Sequence, residues 1–265
     1  MMDVTPLASG SKGNSYLIRS GSSHILIDAG LSAKQLCLRL QDSGTDAAKI
    51  SAVFITHEHV DHLRGTRVFA RKFGIPVYMN SACFDNARLQ YQLEQIADIR
   101  LFETGHSFDY QDFIIHPFSV SHDTSDPVCF GIGDGRSTLG IITDLGKVST
   151  LVHTAAMKMD ALILEANHDL LLLKQNPNYP ENVKQRIRSN RGHLSNEQSA
   201  EFARDLIMKG RLKQLILAHL SEQNNSEACI RAAFGRIFGE AGLDLPYSCA
   251  GQYCISPKLI INNER

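Results

Sequence analysis

The sequence predicts an α+β protein whose sheets are covered by helices, and three observations carry that prediction. Short apolar, β-branched runs bounded by turn residues recur along the chain, as buried strands require. The stretches between them carry helix-start signals, which argues against an all-β barrel. Many of the runs also end in a residue able to hold a metal ion or a proton, and polar groups just past the carboxyl ends of strands gather along one edge of a sheet.

In chain order, HILID ends at Asp28, AVFITH at His57, IIHPFSVSH at His122, LGIITD at Asp144, ALILE at Glu165 and QLILAH at His219. Ser32-x-x-Gln35 and Ser195-x-x-Gln198 fit capping boxes and open helices of about ten or more residues. Further helices are expected over 62–73, 81–92, 147–156, 168–175, 181–190 and 226–240. Gly74-Ile75-Pro76 stops the first of these and leads into the strand IPVYM. No fixed-period repeat, low-complexity tract or dividing linker is visible, so 1–265 reads as a single domain.

The densest chemistry lies in HEHVDH, His57 to His62. With 11 His in 265 residues, a His-x-His-x-Asp-His window should arise by chance in about one such chain in a thousand. His57 and His59 share a face only on extended or turning backbone, because a helix would separate them by about 200°. With Asp61 and His62 they offer imidazole nitrogen and carboxylate oxygen, donors that Zn²⁺, Mn²⁺ or Fe accept.

Composition sets limits on the rest. At 43% hydrophobic content the chain can bury a full core. The start, MMDVTPLASGSKGNS, lacks the basic and apolar regions of a signal peptide, and no run reaches the ~18 apolar residues of a membrane span, so a cytoplasmic protein is expected. Six scattered cysteines form no CxxC pair and read mostly as small buried hydrophobes. A formal net charge of -1 is uninformative about anionic partners. Locally, however, Lys184, Arg186, Arg188 and Arg191 accumulate just before Gly192-His193, either as a phosphate-binding surface or as a solvated helix face.

Taken together, an Asp after an early strand, the HxHxDH loop, and then a lone His, a lone Asp and a final His resemble the metallo-β-lactamase fold superfamily over nearly the whole chain. The resemblance implies a four-layer αββα sandwich with a two-metal site on one edge. Residue by residue, it implies one metal on His57, His59 and His122, a second on Asp61, His62 and His219, and Asp144 bridging, with Asp28 supporting the ligands from behind. ASGSKGNSYLI, VSHDTSDPV, LEANHD, RGHLSNEQSA and LAHLSEQNN are similar to stretches of the bacterial YycJ/WalJ/VicX group, exonuclease-like relatives of the tRNA 3′-processing endonucleases. In those endonucleases a Glu and a His in similar segments assist at the scissile phosphate, which implies such roles for Glu165 and His193. Asp144 stands where true zinc β-lactamases often carry Cys, which argues against lactam hydrolysis. Neither the inserted domain of the β-CASP nucleases nor the long Gly/Pro-rich arm of the tRNA endonucleases is visible.

The function implied is metal-dependent phosphodiester hydrolysis of nucleic acid, most plausibly as a 5′ exonuclease on DNA. Two metals about 3.5–4 Å apart can share a hydroxide and clamp the attacking and leaving oxygens of an in-line displacement. Asp61 would hold a metal and orient the hydroxide. His193, next to the Ser195 cap, would stabilise the phosphorane or protonate the leaving oxygen near a helix N-terminus. Glu165 would orient His193 or a bound water, or else act only as a capping or salt-bridging carboxylate. Ser9, Lys12 and Asn14 in the loop SGSKGN would contact substrate phosphate, or form only a turn between two strands. His168 would touch substrate or be an ordinary surface histidine, and Lys184, Arg186 and Arg188 would face the phosphate backbone. Two other classes compete: a small-ester hydrolase of the glyoxalase or lactonase type on the same metals, and a regulatory protein without catalysis.

Overall fold

The computed structural model describes residues 1–261, so 262–265 of the expected domain lie outside the described residues. Two mixed sheets face each other. The first has the strand order β14(Leu259–Ile261), β1(Met2–Ala8), β2(Ser15–Ser20), β3(Ser23–Ile27), β4(Ala52–Phe54), β5(Val77–Asn80), β6(Ile99–Phe102). The second runs β13(Tyr247–Cys249), β12(Gln214–Ala218), β11(Ala161–Glu165), β10(Thr138–Ile142), β9(Val128–Gly133), β8(Phe113–Ser119), β7(Phe108–Tyr110).

The two sheets are built alike. Strands β14, β1, β2 and β3 pair antiparallel, and β3 to β6 pair parallel. Strands β7 to β10 pair antiparallel, and β10 to β13 pair parallel. Consequently β1, β3 and β4 in one sheet and β8, β10, β11 and β12 in the other run toward the same edge of the sandwich. This common direction lets residues distant in sequence converge. No sequence repeat marks this doubling, because it is a repeat of topology rather than of side chains.

Apolar side chains fill three layers. Between the sheets lie Tyr16, Ile25, Phe54, Phe130, Ile163 and Ile216 among others. Outside the first sheet, Leu26, Val53 and Met79 meet α1(Ala33–Asp42), α3(Thr66–Phe73) and α4(Ser81–Ala87) through Leu36, Phe69 and Cys83; the short α2(Val60–Leu63) precedes α3. Outside the second sheet, Leu162 and Leu217 meet α5(Thr150–Ala156), α8(Asn196–Lys209) and α9(Glu227–Glu240) through Val152, Leu206 and Phe234. Helix, sheet, sheet, helix is the αββα order that the resemblance implies. Between β11 and α8 the chain adds α6(Leu170–Gln175) and α7(Glu181–Arg188). Among the described residues no helix is long and apolar enough to cross a membrane.

The helix expectations hold in place more than in length. The predicted 62–73 helix is split into α2 and α3 at Gly65, where a Cβ would lie 2.1 Å from the Leu31 carbonyl oxygen. The predicted 81–92 helix ends at Ala87, and Gln92 takes φ 52. Elsewhere Ser149, Asp169 and Ser226 act as caps, so α5, α6 and α9 start just after them, and α7 ends at Arg188. Strands β6, β7, β9, β13 and β14 lie outside the runs singled out from sequence; several are three or four residues long with exposed positions, too short for alternation to register. Of the six cysteines only Cys83 and Cys129 are buried, fewer than expected.

At the head of α8 the predicted capping box is complete: Ser195 Oγ accepts from Gln198 N at 3.3 Å and Gln198 Oε1 accepts from Ser195 N at 2.9 Å. Ser195→Ala should lower stability by about 1 kcal/mol, or roughly 2–4 °C in Tm for a domain near this size, in thermal unfolding followed by circular dichroism. An unchanged Tm would mean that packing of α8 alone holds its first turn.

Candidate metal centre

The strands that share a direction deliver their following residues to one place. Asp28 lies one residue past β3, His57 three past β4, His122 three past β8, Asp144 two past β10 and His219 one past β12, while Glu165 is the last residue of β11. Asp28, Asp144 and His219 all take left-handed backbone, with φ 61, 61 and 54. For a residue with a Cβ this costs on the order of 1 kcal/mol each, and it turns the side chain back over the strand end. The loop 57–62 is seated by close backbone contact: Asn14 N donates to the Asp61 carbonyl at 2.7 Å, and a Cβ on Gly30 would lie 1.5 Å from that oxygen.

The result is a compact set of donor atoms. His57, His59 and His122 each present an atom within 4.8 Å of the others, and so do Asp61, His62 and His219, and His57, His62 and Asp144. The Nε2 atoms of His62 and His219 each stand 3.4 Å from a different oxygen of Asp144. His122 Nε2, His219 Nε2 and Asp144 Oδ2 are buried without a hydrogen-bond partner. Buried polar atoms without partners are unfavourable by about 1–3 kcal/mol each. Three aimed into one space, among imidazole and carboxylate donors, suit a divalent cation.

Groups behind the ring fix which nitrogen faces inward. Asp28 Oδ2 accepts from His62 Nδ1 at 2.7 Å, Gly192 O from His122 Nδ1 at 3.1 Å, and Glu165 Oε1 from His219 Nδ1 at 2.8 Å. Thr56 donates its hydroxyl proton to Asp28 and can then accept from His57 Nδ1 at 2.9 Å. Each Nδ1–H is thereby committed, so it is Nε2 of each ring that faces the cluster, where a bound cation would take the place of any proton.

Electrostatics agree. Burial, then the neighbouring imidazoles, push His57 well below the ordinary histidine range. Burial also opposes charge on His62, but Asp28, Asp61 and Asp144 outweigh it and hold that group well above the range. His219 is raised in the same sense against its burial by Asp144, Asp61 and Glu165. Asp61 stays well below the carboxylate range despite burial, chiefly through His62 and His219. The carboxylates thus favour positive charge on the His62–His219 side, while burial holds His57, His59 and His122 low.

His193 is 18% exposed at its side chain, more than His62, His122 and His219 but less than His59. Glu165 Oε1 accepts from His193 Nδ1 at 2.8 Å as well as from His219, while Oε2 accepts from Leu194 N at 3.0 Å. Burial works against the Glu165 charge, and the two histidines more than offset it, so its pKa is lowered. Glu165 therefore accepts from two histidines and a backbone amide at once, contacts that belong to both of the roles that the sequence left open.

Several residues read from sequence as substrate contacts land differently. Ser9 is buried, sharing a hydrogen bond with the Tyr16 hydroxyl at 2.9 Å and accepting from His219 N at 2.8 Å, so it backs a ligand candidate instead of facing a phosphate. Asn14 is fully buried, and its Nδ2 reaches Asp61 Oδ2 at 3.0 Å and His62 Nε2 at 3.1 Å. Lys12 is exposed but ion-paired to Glu222 at 2.9 Å. Lys184 turns back on α6, donating from Nζ to the Lys174 carbonyl at 2.8 Å, and Arg188 pairs with Glu181. Arg186 is the one of that trio beside the cluster, contacting Asp123, whose Oδ1 is 3.4 Å from His122 Nε2. His168 is 1% exposed, so it is not the surface histidine considered above. Thr56 and Asp123 were missed; each adjoins a candidate ligand histidine in sequence, which is the only signal that could have found them.

Glu165→Ala removes the acceptor from both His193 and His219. Metal affinity should fall about 10- to 100-fold, as is usual when the group orienting a ligand histidine is lost. Competitive chelator titration of the purified protein would measure it, and an unchanged affinity would mean that His219 needs no support from Glu165.

Residues 8–137 match the Metallo-beta-lactamase superfamily. The chain is 36% identical over 83% of its length, and over 81% of the relative, to "Exodeoxyribonuclease WalJ" of Streptococcus pneumoniae serotype 2. It is 32% identical over 89% of each chain to "Exodeoxyribonuclease YycJ" of Bacillus anthracis. Among solved structures it resembles the metallo-beta-lactamase fold protein YhfI of Bacillus subtilis, with a TM-score of 0.73, 17% identity and coverage of 97% of this chain and 100% of that one. It also resembles the short form of human tRNase Z, with a TM-score of 0.67, 19% identity and coverage of 98% and 100%. The two structural likenesses speak for the fold alone. The sequence likeness speaks for kinship, and by it the chain belongs to the WalJ/YycJ family of metal-dependent hydrolases within the metallo-beta-lactamase superfamily.

Proposed function

We propose that this chain is a cytoplasmic 5′ exonuclease on DNA whose 1–265 domain holds two divalent ions, one on His57, His59 and His122 and one on Asp61, His62 and His219, with Asp144 between them. The observation that carries the reading is the convergence of unpartnered His122 Nε2, His219 Nε2 and Asp144 Oδ2 beside a part-exposed His193. The relatives named exodeoxyribonuclease supply the substrate class. When bound, the ions would supply Lewis acidity toward the phosphodiester and lower the pKa of the attacking water. Zn, Mn and Fe all suit these donors.

The chain's own residues divide the remaining work. Asp61 turns one oxygen, Oδ2, toward His62 and His219 and accepts from Asn14 Nδ2 on that same atom, so it is positioned to hold an ion and orient the attacking oxygen. Glu165 accepts from His193 Nδ1, which leaves Nε2 to meet the phosphate or deliver a proton to the leaving oxygen. Arg186 stands over Asp123 at the same mouth, where its guanidinium can exchange that carboxylate for a strand phosphate. The contacts assigned here are all to phosphate, so low sequence preference is expected.

Purified protein loaded with Mn²⁺ or Zn²⁺ should release nucleotides stepwise from the 5′ end of labelled DNA, and Asp61→Ala should abolish this. Release from the 3′ end would overturn the polarity, and hydrolysis of a thioester or lactone with every strand intact would favour the small-ester alternative. Arg186→Ala should raise KM for DNA about tenfold or more, the scale of a charge-assisted hydrogen bond, while leaving hydrolysis of bis(p-nitrophenyl) phosphate within about twofold. Equal losses on both substrates would show that Arg186 acts on the metal ligands through Asp123.

A further inference from the structure

Tyr253 lies in the loop between β13 and β14 and is 63% exposed. Single exposed aromatics are common and need no explanation, but this one is held in place. Its hydroxyl contacts both the Lys12 ammonium and the Glu222 carboxylate, which are themselves 2.9 Å apart. The loop beneath is fixed as well: Lys12 N donates to Gln252 Oε1 at 3.0 Å, Ser9 N to Gly251 O at 3.0 Å and Arg39 Nη1 to Gln252 O at 3.0 Å.

Its position ties it to the cluster from two sides. Lys12 is two residues before Asn14, which bonds Asp61 and His62, and Glu222 is three residues after His219. The ammonium of Lys12 touches the hydroxyl oxygen while standing 5.0 Å from the ring centroid. An ammonium at that separation above the face could not also reach the hydroxyl. It therefore lies beyond the hydroxyl edge, close to the ring plane, and does not cap the π-face. Because Glu222 neutralises Lys12, the brace orients the ring without adding net charge.

We propose that Tyr253 is a stacking platform for the unpaired terminal base of the DNA strand, seating the end nucleotide while its phosphate lies at the cluster. The proposal rests on the nuclease reading above. Every nucleobase has a π-face, so such a platform recognises an end without choosing a sequence. It also supplies a contact with substrate independent of the phosphates. The sequence shows Tyr253 as an isolated aromatic, and only the fold brings it beside Lys12.

The test is fluorescence titration of single-stranded DNA oligomers carrying 2-aminopurine at the 5′ end, at the 3′ end, or next to a 5′ abasic terminus. Asp61→Asn is present throughout so that the strand stays whole. Quenching is expected for the 5′ probe, and Tyr253→Ala should abolish it and raise Kd about 5- to 100-fold, the range of base–aromatic stacking, with little effect on the abasic oligomer. Tyr253→Phe keeps the ring and should keep the quench. The platform is overturned if Phe behaves like Ala, if the abasic oligomer suffers equally, or if the strand binds with no quench. If the parent binds no strand and the wild type cuts none, the nuclease reading fails and takes the platform with it.

Discussion

Asp28, Asp144 and Glu165 are three carboxylates with at most 3% exposure, placed around one small space at the ends of β3, β10 and β11. Removing an ion from water costs several kcal/mol even after the protein relaxes, and like charges this near repel. The arrangement persists only where donors or cations meet the oxygens. Glu165 meets that demand with His193, His219 and the Leu194 amide, and Asp28 with Thr56 and His62. Asp144 is left with an oxygen that the protein does not satisfy. The need for positive charge is therefore concentrated on Asp144, between the two groups of ligand candidates.

The backbone is bent to serve that geometry. Asp28 and Asp144 share φ 61 and occupy equivalent places, each just past the last antiparallel-paired strand of its sheet. His219 adds a third left-handed position past β12. Such conformations are normally left to Gly or Asn, and they stay populated only when the surroundings over-determine them. Here Thr56 N donating to Asp28, Asp144 N donating to Glu165, and the bonds of His219 to Glu165 and Ser9 do so. Strain in the strand ends and burial of the carboxylates are two aspects of one constraint: side chains from two sheets must meet at a seam that neither sheet alone would form.

This explains what could be read in the sequence. Strand-end residues were legible because an apolar run followed by a lone polar residue is a local pattern, and HEHVDH is denser than chance permits. The burial of Ser9 and Asn14 was not legible. Their polar partners, Tyr16 and His219 for one and Asp61 and His62 for the other, lie across folded space. The basic run misled for a related reason. Periodicity places Lys184, Arg186 and Arg188 on α7, yet their reach toward the cluster depends on how α7 packs against α6 and on a carboxylate, Asp123, supplied by a different loop.

The same division separates chemistry from substrate choice. The donor set comes from strand ends that the fold repeats in both sheets, and a space of that kind can serve esters of carbon or phosphorus alike. What surrounds the mouth comes from segments outside the strand-end pattern: α7 with Arg186, the loop carrying Lys12, and the loop carrying Tyr253. Their outward side chains, Arg186, Lys12 and Tyr253, are not among the buried carboxylates, and they meet the cluster only through polar groups beside it, Asp123, Asn14 and Glu222. These side chains can change without touching the buried charges, so under the proposed function any preference for a nucleic-acid end would lie in the rim, while the hydrolytic capacity lies in the seam.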